Sequence, residues 1–167
     1  MIISGMMPNF VSMSGKFVYT LILSFFLVSC NETGLFEKVV VIPKQQWAAS
    51  YQPEFSFDIA DTASRYRIYF LVRHSDAYEY NNLWIRLHSQ LPGDSNWRSE
   101  RFDIPLASQN KWLGSGMDDI FDHRVLLYRD PVKFIKPGRY QIKIEQHMRI
   151  SPISHVFNAG LRVEKLK

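Results

Sequence analysis

The segment RYRIYFLVRH, residues 65–74, sets Tyr66, Ile68, Phe70 and Val72 on one side and Arg65, Arg67, Tyr69, Leu71 and Arg73 on the other. A repeat of two is the period at which side chains alternate across a strand; a helix would bring its apolar residues round every three to four positions. The segment is therefore a strand with one well buried face, and such a face needs a second layer to cover it.

The same period recurs along the chain. Phe55, Phe57 and Ile59 share a face in residues 53–59, and Leu83, Ile85 and Leu87 share one opposite Trp84, Arg86 and His88. Residues 94–106 give another strand, ending before Pro105. In residues 139–148, Tyr140, Ile142, Ile144, Gln146 and Met148 alternate with Arg139, Gln141, Lys143, Glu145 and His147, after a turn at Pro137-Gly138. KVVVIP, residues 38–43, is a first strand that Pro43 stops, and residues 124–128 add one more. The last strand puts Val156, Leu161 and Val163 inward, with a break in alternation around Asn158 to Gly160 that predicts a bulge. The best helix candidate is short, over residues 105–112. The fold class is all-β: an antiparallel β-sandwich of about seven or eight strands, with a closed barrel as the other solution for the same count.

The export end of the chain is equally legible. Lys16 precedes a twelve-residue apolar run, residues 17–28, and Ser29-Cys30 follows it. A bilayer-spanning helix needs about 20 apolar residues, so the run fits a cleaved signal better than an anchor. Leu27-Val28-Ser29-Cys30 resembles the bacterial lipobox, and that resemblance implies cleavage before Cys30, lipidation of its sulfur and a mature chain of 138 residues held in a membrane by lipid. An ordinary cleaved signal, or a buried N-terminal helix with a core cysteine, is the alternative. Each acyl CH₂ contributes about 0.8 kcal/mol of membrane affinity, so several chains on one residue give a lasting tether. Met13 begins a tidier signal than Met1, so a start-site extension is the expectation for residues 1–12. The expected organisation is a signal peptide over residues 1–29, a tether over 30–37 and one domain over 38–167.

Composition excludes several classes. A single cysteine makes no internal disulfide and no cysteine-based zinc site. Twenty Lys and Arg stand against 16 Asp and Glu, interspersed, so the surface is mildly basic. The arginines of residues 65–73 alternate with apolar residues as on the wet side of a strand, and no nucleic-acid partner is implied. His74, His88, His123, His147 and His155 stand singly, none in a zinc-hydrolase spacing, and His88 and His147 fall on polar strand faces. Asp76 and Glu79 beside His74 do not by spacing make a catalytic pair. Asp118, Asp119 and Asp122 in GSGMDDIFDHR offer oxygen ligands to a hard cation, but they lack EF-hand periodicity and loops gather Asp in any case. The expectation is no enzyme, no cofactor and no metal. Tyr78, Tyr80, Trp84, Trp97 and Trp112 lie on or beside loops, where they present contact area to a protein or a glycan, or cap the ends of the core.

One family joins these pieces. The Arg73-His74 pair, the run Tyr78-x-Tyr80-x-Asn82-Leu83-Trp84, Trp112-x-Gly114-x-Gly116, Gly138-x-Tyr140 and Gln146-x-Met148-Arg149 resemble, in that order, the gliding-motility lipoprotein GldH family of the Bacteroidota. The resemblance spans residues 36–165. It implies a cell-envelope lipoprotein needed for gliding over surfaces, in the outer membrane with its leaflet open, associated with machinery that overlaps the type IX secretion system. It brings no catalytic residues. Arg73 and His74 join the five aromatics as candidates for contact with proteins of that complex, and a glycan-binding module is the alternative.

Overall fold

The computed structural model describes residues 34–166. The expected signal peptide, Cys30 and the first part of the expected tether lie outside the described residues. Thirteen strands follow one another, β1 Gly34–Val41, β2 Gln46–Trp47, β3 Glu54–Ile59, β4 Tyr66–Ser75, β5 Asn82–Gln90, β6 Arg98–Pro105, β7 Ala107–Ser108, β8 Lys111–Trp112, β9 Ser115–Met117, β10 Ile120–Leu126, β11 Gly138–Gln146, β12 Ile153–Ser154 and β13 Val156–Lys165. One sheet has the order β1-β13-β4-β10-β9 and the other β3-β11-β5-β6; β2 with β12 and β7 with β8 form two short ladders. All pairings are antiparallel. Among the described residues no helix is long and apolar enough to cross a membrane.

The two main sheets share one core. Phe55, Phe57 and Ile59 of β3, Ile68, Phe70 and Val72 of β4, Leu83, Ile85 and Leu87 of β5, and Ile142 and Ile144 of β11 are all buried, as period two requires. Phe36 of β1 meets Phe57 of β3 across the layers at 5.4 Å between ring centres. Trp47, which no alternation singled out, is wholly buried beside Phe70 and donates its indole N–H to the Tyr51 carbonyl. The bulge lies between Val156 and Asn158, and the extra residue brings Val156, Ala159, Leu161 and Val163 to one face despite their odd first spacing.

Three expectations change. The two main sheets hold nine strands; the addition is β9, three residues long and too short to show an alternation. Residues 34–37, expected in the tether, belong to β1, because pairing to the C-terminal strand runs on to Gly34 opposite Glu164. The short helix expected over residues 105–112 is the β7–β8 hairpin instead. Gln109 and Asn110 both take positive φ, 50° and 59°, which two-residue hairpin turns demand and a helix forbids.

Candidate functional site

The residues singled out by sequence separate into three places. Arg73 and His74 are neighbours on β4, so alternation sends them to opposite faces. Arg73 points outward and holds Asp122 of β10 in a two-pronged ion pair at 2.7 and 2.8 Å. It lines a groove of about 610 Å³ on the outer face of the five-stranded sheet, together with Val39, Leu71 and Arg124. Asp118 and Asp119 are the two turn residues of the β9–β10 hairpin, between Met117 and Ile120. The three aspartates therefore do not converge: two make a turn and the third is taken by Arg73. Among the described residues no three His, Cys, Asp or Glu side chains gather as a metal would need.

His74 points inward and is fully buried at the end of the core. Its Nδ1–H donates to the Ser75 carbonyl at 2.7 Å; a carbonyl only accepts, so Nε2 carries no hydrogen and receives one from Nε2–H of His123 at 2.9 Å. Burial holds both imidazoles below the ordinary histidine range, His123 at about 4, where the neighbouring His74 adds to the effect. Trp112 meets His74 edge to face at 4.5 Å, and Phe121 and Tyr78 complete the shell at 5.9 and 5.2 Å. The strand β9 and the turn before it close over this group only because they carry glycine. A Cβ at Gly114 would stand 2.7 Å from His123 Nε2, and one at Gly116 would stand 2.6 Å from the Phe121 ring. The spacing Trp112-x-Gly114-x-Gly116 thus has a packing cause. Tyr78, 3% exposed, and His74 belong to the interior and offer no surface, contrary to their expected part in partner contact.

Tyr80 leads out of this closed end. Its ring lies 5.6 Å from Tyr78 and borders a groove of about 720 Å³ with Trp84, Arg101, His147, Met148, Arg149 and Ile150. Trp84 and Arg86 are on the outward face of β5, and the register of β5 with β6 sets Arg86 directly opposite Arg101. Like charges facing each other across a strand pair are unfavourable, so something else must hold them apart or draw them together. Arg86 has help: its guanidinium donates to His147 Nε2 at 2.9 Å and stands 3.8 Å from Glu145. Glu145 is shared further, accepting from His88 Nε2–H at 2.9 Å. Arg101 lies over the Trp84 ring at 4.7 Å, a cation–π contact. Neither Arg101 nor Arg149 has a carboxylate partner among the described residues.

The floor of the groove is set by a buried amide. Gln146, wholly buried on β11, accepts from the Met148 N–H at 2.9 Å and donates to the Ile150 carbonyl at 3.2 Å, folding residues 148–150 over the sheet end. The Trp84 N–H meets Met148 Sδ at 3.2 Å. The spacing Gln146-x-Met148 is thereby explained. Trp97 stands apart before β6, 37% exposed with Lys143 Nζ 4.7 Å from its ring, and Trp112 packs on His74, so the tryptophans form no common platform. Sequence reasoning missed Arg101, Arg149 and the histidine pair. Arg149 was within reach, as part of a recognised spacing; Arg101 and His123 acquire meaning only through partners 15 and 49 residues away.

Fold and site define a class: all-β domains of antiparallel sheets with a solvent-open groove on an outer sheet face. The chain belongs to the GldH lipoprotein family, whose profile matches residues 34–163. It is 26% identical over 157 residues to a gliding motility lipoprotein GldH homolog of Christiangramia forsetii, covering 89% of this chain and 93% of that protein. It is 22% identical over 153 residues to the gliding motility lipoprotein GldH of Flavobacterium johnsoniae, covering 87% and 93%. Among solved structures it is similar to a CBM28 carbohydrate-binding module specific for non-crystalline cellulose, at 12% identity and a TM-score of 0.42, over 83% of this chain and 76% of that one.

Proposed function

We propose that this chain is a non-catalytic, lipid-anchored β-sandwich of the outer membrane that supports the gliding and type IX secretion machinery through protein contacts made at the Trp84–Arg101 groove. Family membership supports the setting. The observation that carries the contact is a pair of arginines, Arg101 and Arg149, left without carboxylates beside the half-buried rings of Tyr80 and Trp84. Arginine and large aromatics are the residue types that dominate the energetics of protein interfaces. The glycan alternative rests on Trp84 and Trp97 as stacking surfaces, and each already has a cation over one ring face. Cys30 supplies the tether.

The test is capture of envelope partners by the full-length protein and its Trp84→Ala variant, beside retention on isolated envelope polysaccharide. Loss of protein partners with no polysaccharide retention is the expected result. Polysaccharide retention that Trp84→Ala abolishes establishes the glycan reading. Mass spectrometry of the membrane fraction reads the acyl chains on Cys30; a bare thiol in a soluble product removes the anchor.

A further inference from the structure

We propose that the groove takes an acidic polypeptide segment, which crosses the outer face of β5 and β6 with a carboxylate against Arg101 and Arg149 and an aliphatic neighbour against Met148 and Ile150. This deepens the protein-contact reading above and rests on it.

Charge complementarity points to the ligand. Arg86 and His88 both draw on Glu145, and among the described residues no carboxylate stands within ion-pair distance of Arg101. Asp103, the next outward residue of β6, accepts from the Asn82 side chain at 2.6 Å. A guanidinium over an indole ring, as Arg101 lies over Trp84 at 4.7 Å, meets the ring through its face and leaves N–H edges that match the two oxygens of a carboxylate. The ring under Arg101 fixes the fork at little entropic cost, so the site is prepared before the ligand arrives.

A further feature favours a polypeptide over an acidic sugar. Ile150 is 46% exposed at the groove wall, beside the Met148 thioether, an apolar place for a side chain next to the acid.

The experiment places a photo-crosslinking phenylalanine analogue at Ile150 of the full-length protein in its own cells and identifies the linked species by mass spectrometry. The expected product is a peptide with Asp or Glu within a few residues of the linkage. Its yield falls at least tenfold when Arg101→Glu and Arg149→Glu are combined, and holds when Arg73→Glu reverses a charge on the opposite sheet; thermal melts verify that all variants fold. A linked peptide that is neutral or basic, a linked polysaccharide, no linked species, or a yield indifferent to the double reversal overturns the inference. The two levels separate cleanly. An acidic peptide from a protein outside the motility machinery upholds the inference and defeats the function proposed above. Gliding lost on Trp84→Ala, with a neutral linked segment from the machinery, does the reverse.

Discussion

Two regions of this domain are built from the same kinds of residue and end in opposite states. At one end His74 and His123 sit among Trp112, Tyr78 and Phe121; nearby, Arg86, Arg101 and His147 sit among Trp84 and Tyr80. Tyr78 and Tyr80, two residues apart and in contact, join them. The closed end excludes water, so its nitrogen bases shed their charge and hydrogen-bond each other. The open groove keeps water, and arginine has no neutral form to retreat to, so charge persists and waits for a counter-ion. Aromatic rings next to basic side chains are thus no functional signature in themselves; the depth at which the sheet sets them decides whether they are core or contact.

The largest expected effect tests that difference by truncation. Tyr78→Ala removes a buried ring and should destabilise the domain by about 3–4 kcal/mol, whereas Trp84→Ala, half in water, should cost less than about 1.5 kcal/mol. Denaturant titration of both measures it; equal losses would erase the distinction between the two regions. The next effect is one of pH. His123 titrates at about 4 in the folded chain, against 6.5 for the free side chain. As pH falls the unfolded chain binds its proton first. Stability is therefore full above about pH 6.5 and declines between there and about 4, by on the order of 2–3 kcal/mol. A His123→Gln variant should make that decline smaller, leaving the part that comes from His74, which burial also holds below the ordinary histidine range; a decline of unchanged size would move the cause elsewhere.

A smaller effect sharpens the closed end. Gly114→Ala forces a methyl toward His123 and should cost about 1.5 kcal/mol, with the titration of His74 and His123, followed by NMR, moving toward the ordinary histidine range as the pair opens. The smallest belongs to the open side. Arg101→Ala should change the melting free energy by less than about 0.5 kcal/mol while abolishing partner capture. A large stability loss there would mean that Arg101 serves the fold.

Much of the architecture was readable before any coordinates. The strands that build the core, β3, β4, β5 and β11, announced themselves through alternation, and Val156 to Val163 even betrayed its bulge by an odd spacing. The short elements escaped. A three-residue strand such as β9 has no period to show, and the β7–β8 hairpin rests on Gln109 and Asn110 taking positive φ, which Gln rarely advertises. For the site, Tyr80 and Trp84 are half-buried beside the groove, while Tyr78 was expected outward because loops are usually wet and His74 was a contact candidate only through the family resemblance. Here Gly114, before β9, and Gly116, within it, let the chain lie directly on His123 and Phe121, which pack against His74.

The order of amino acids alone determined which residues of the alternating strands face inward, since alternation is a property of each strand by itself and needs no partner to be expressed. Only the tertiary structure decided which strands stand side by side. Register across β5 and β6 put Arg86 opposite Arg101, and register across β4 and β10 put His74 against His123. Those pairings arise from the packing of a whole sheet against its neighbour, a cooperative choice that no single stretch of chain encodes.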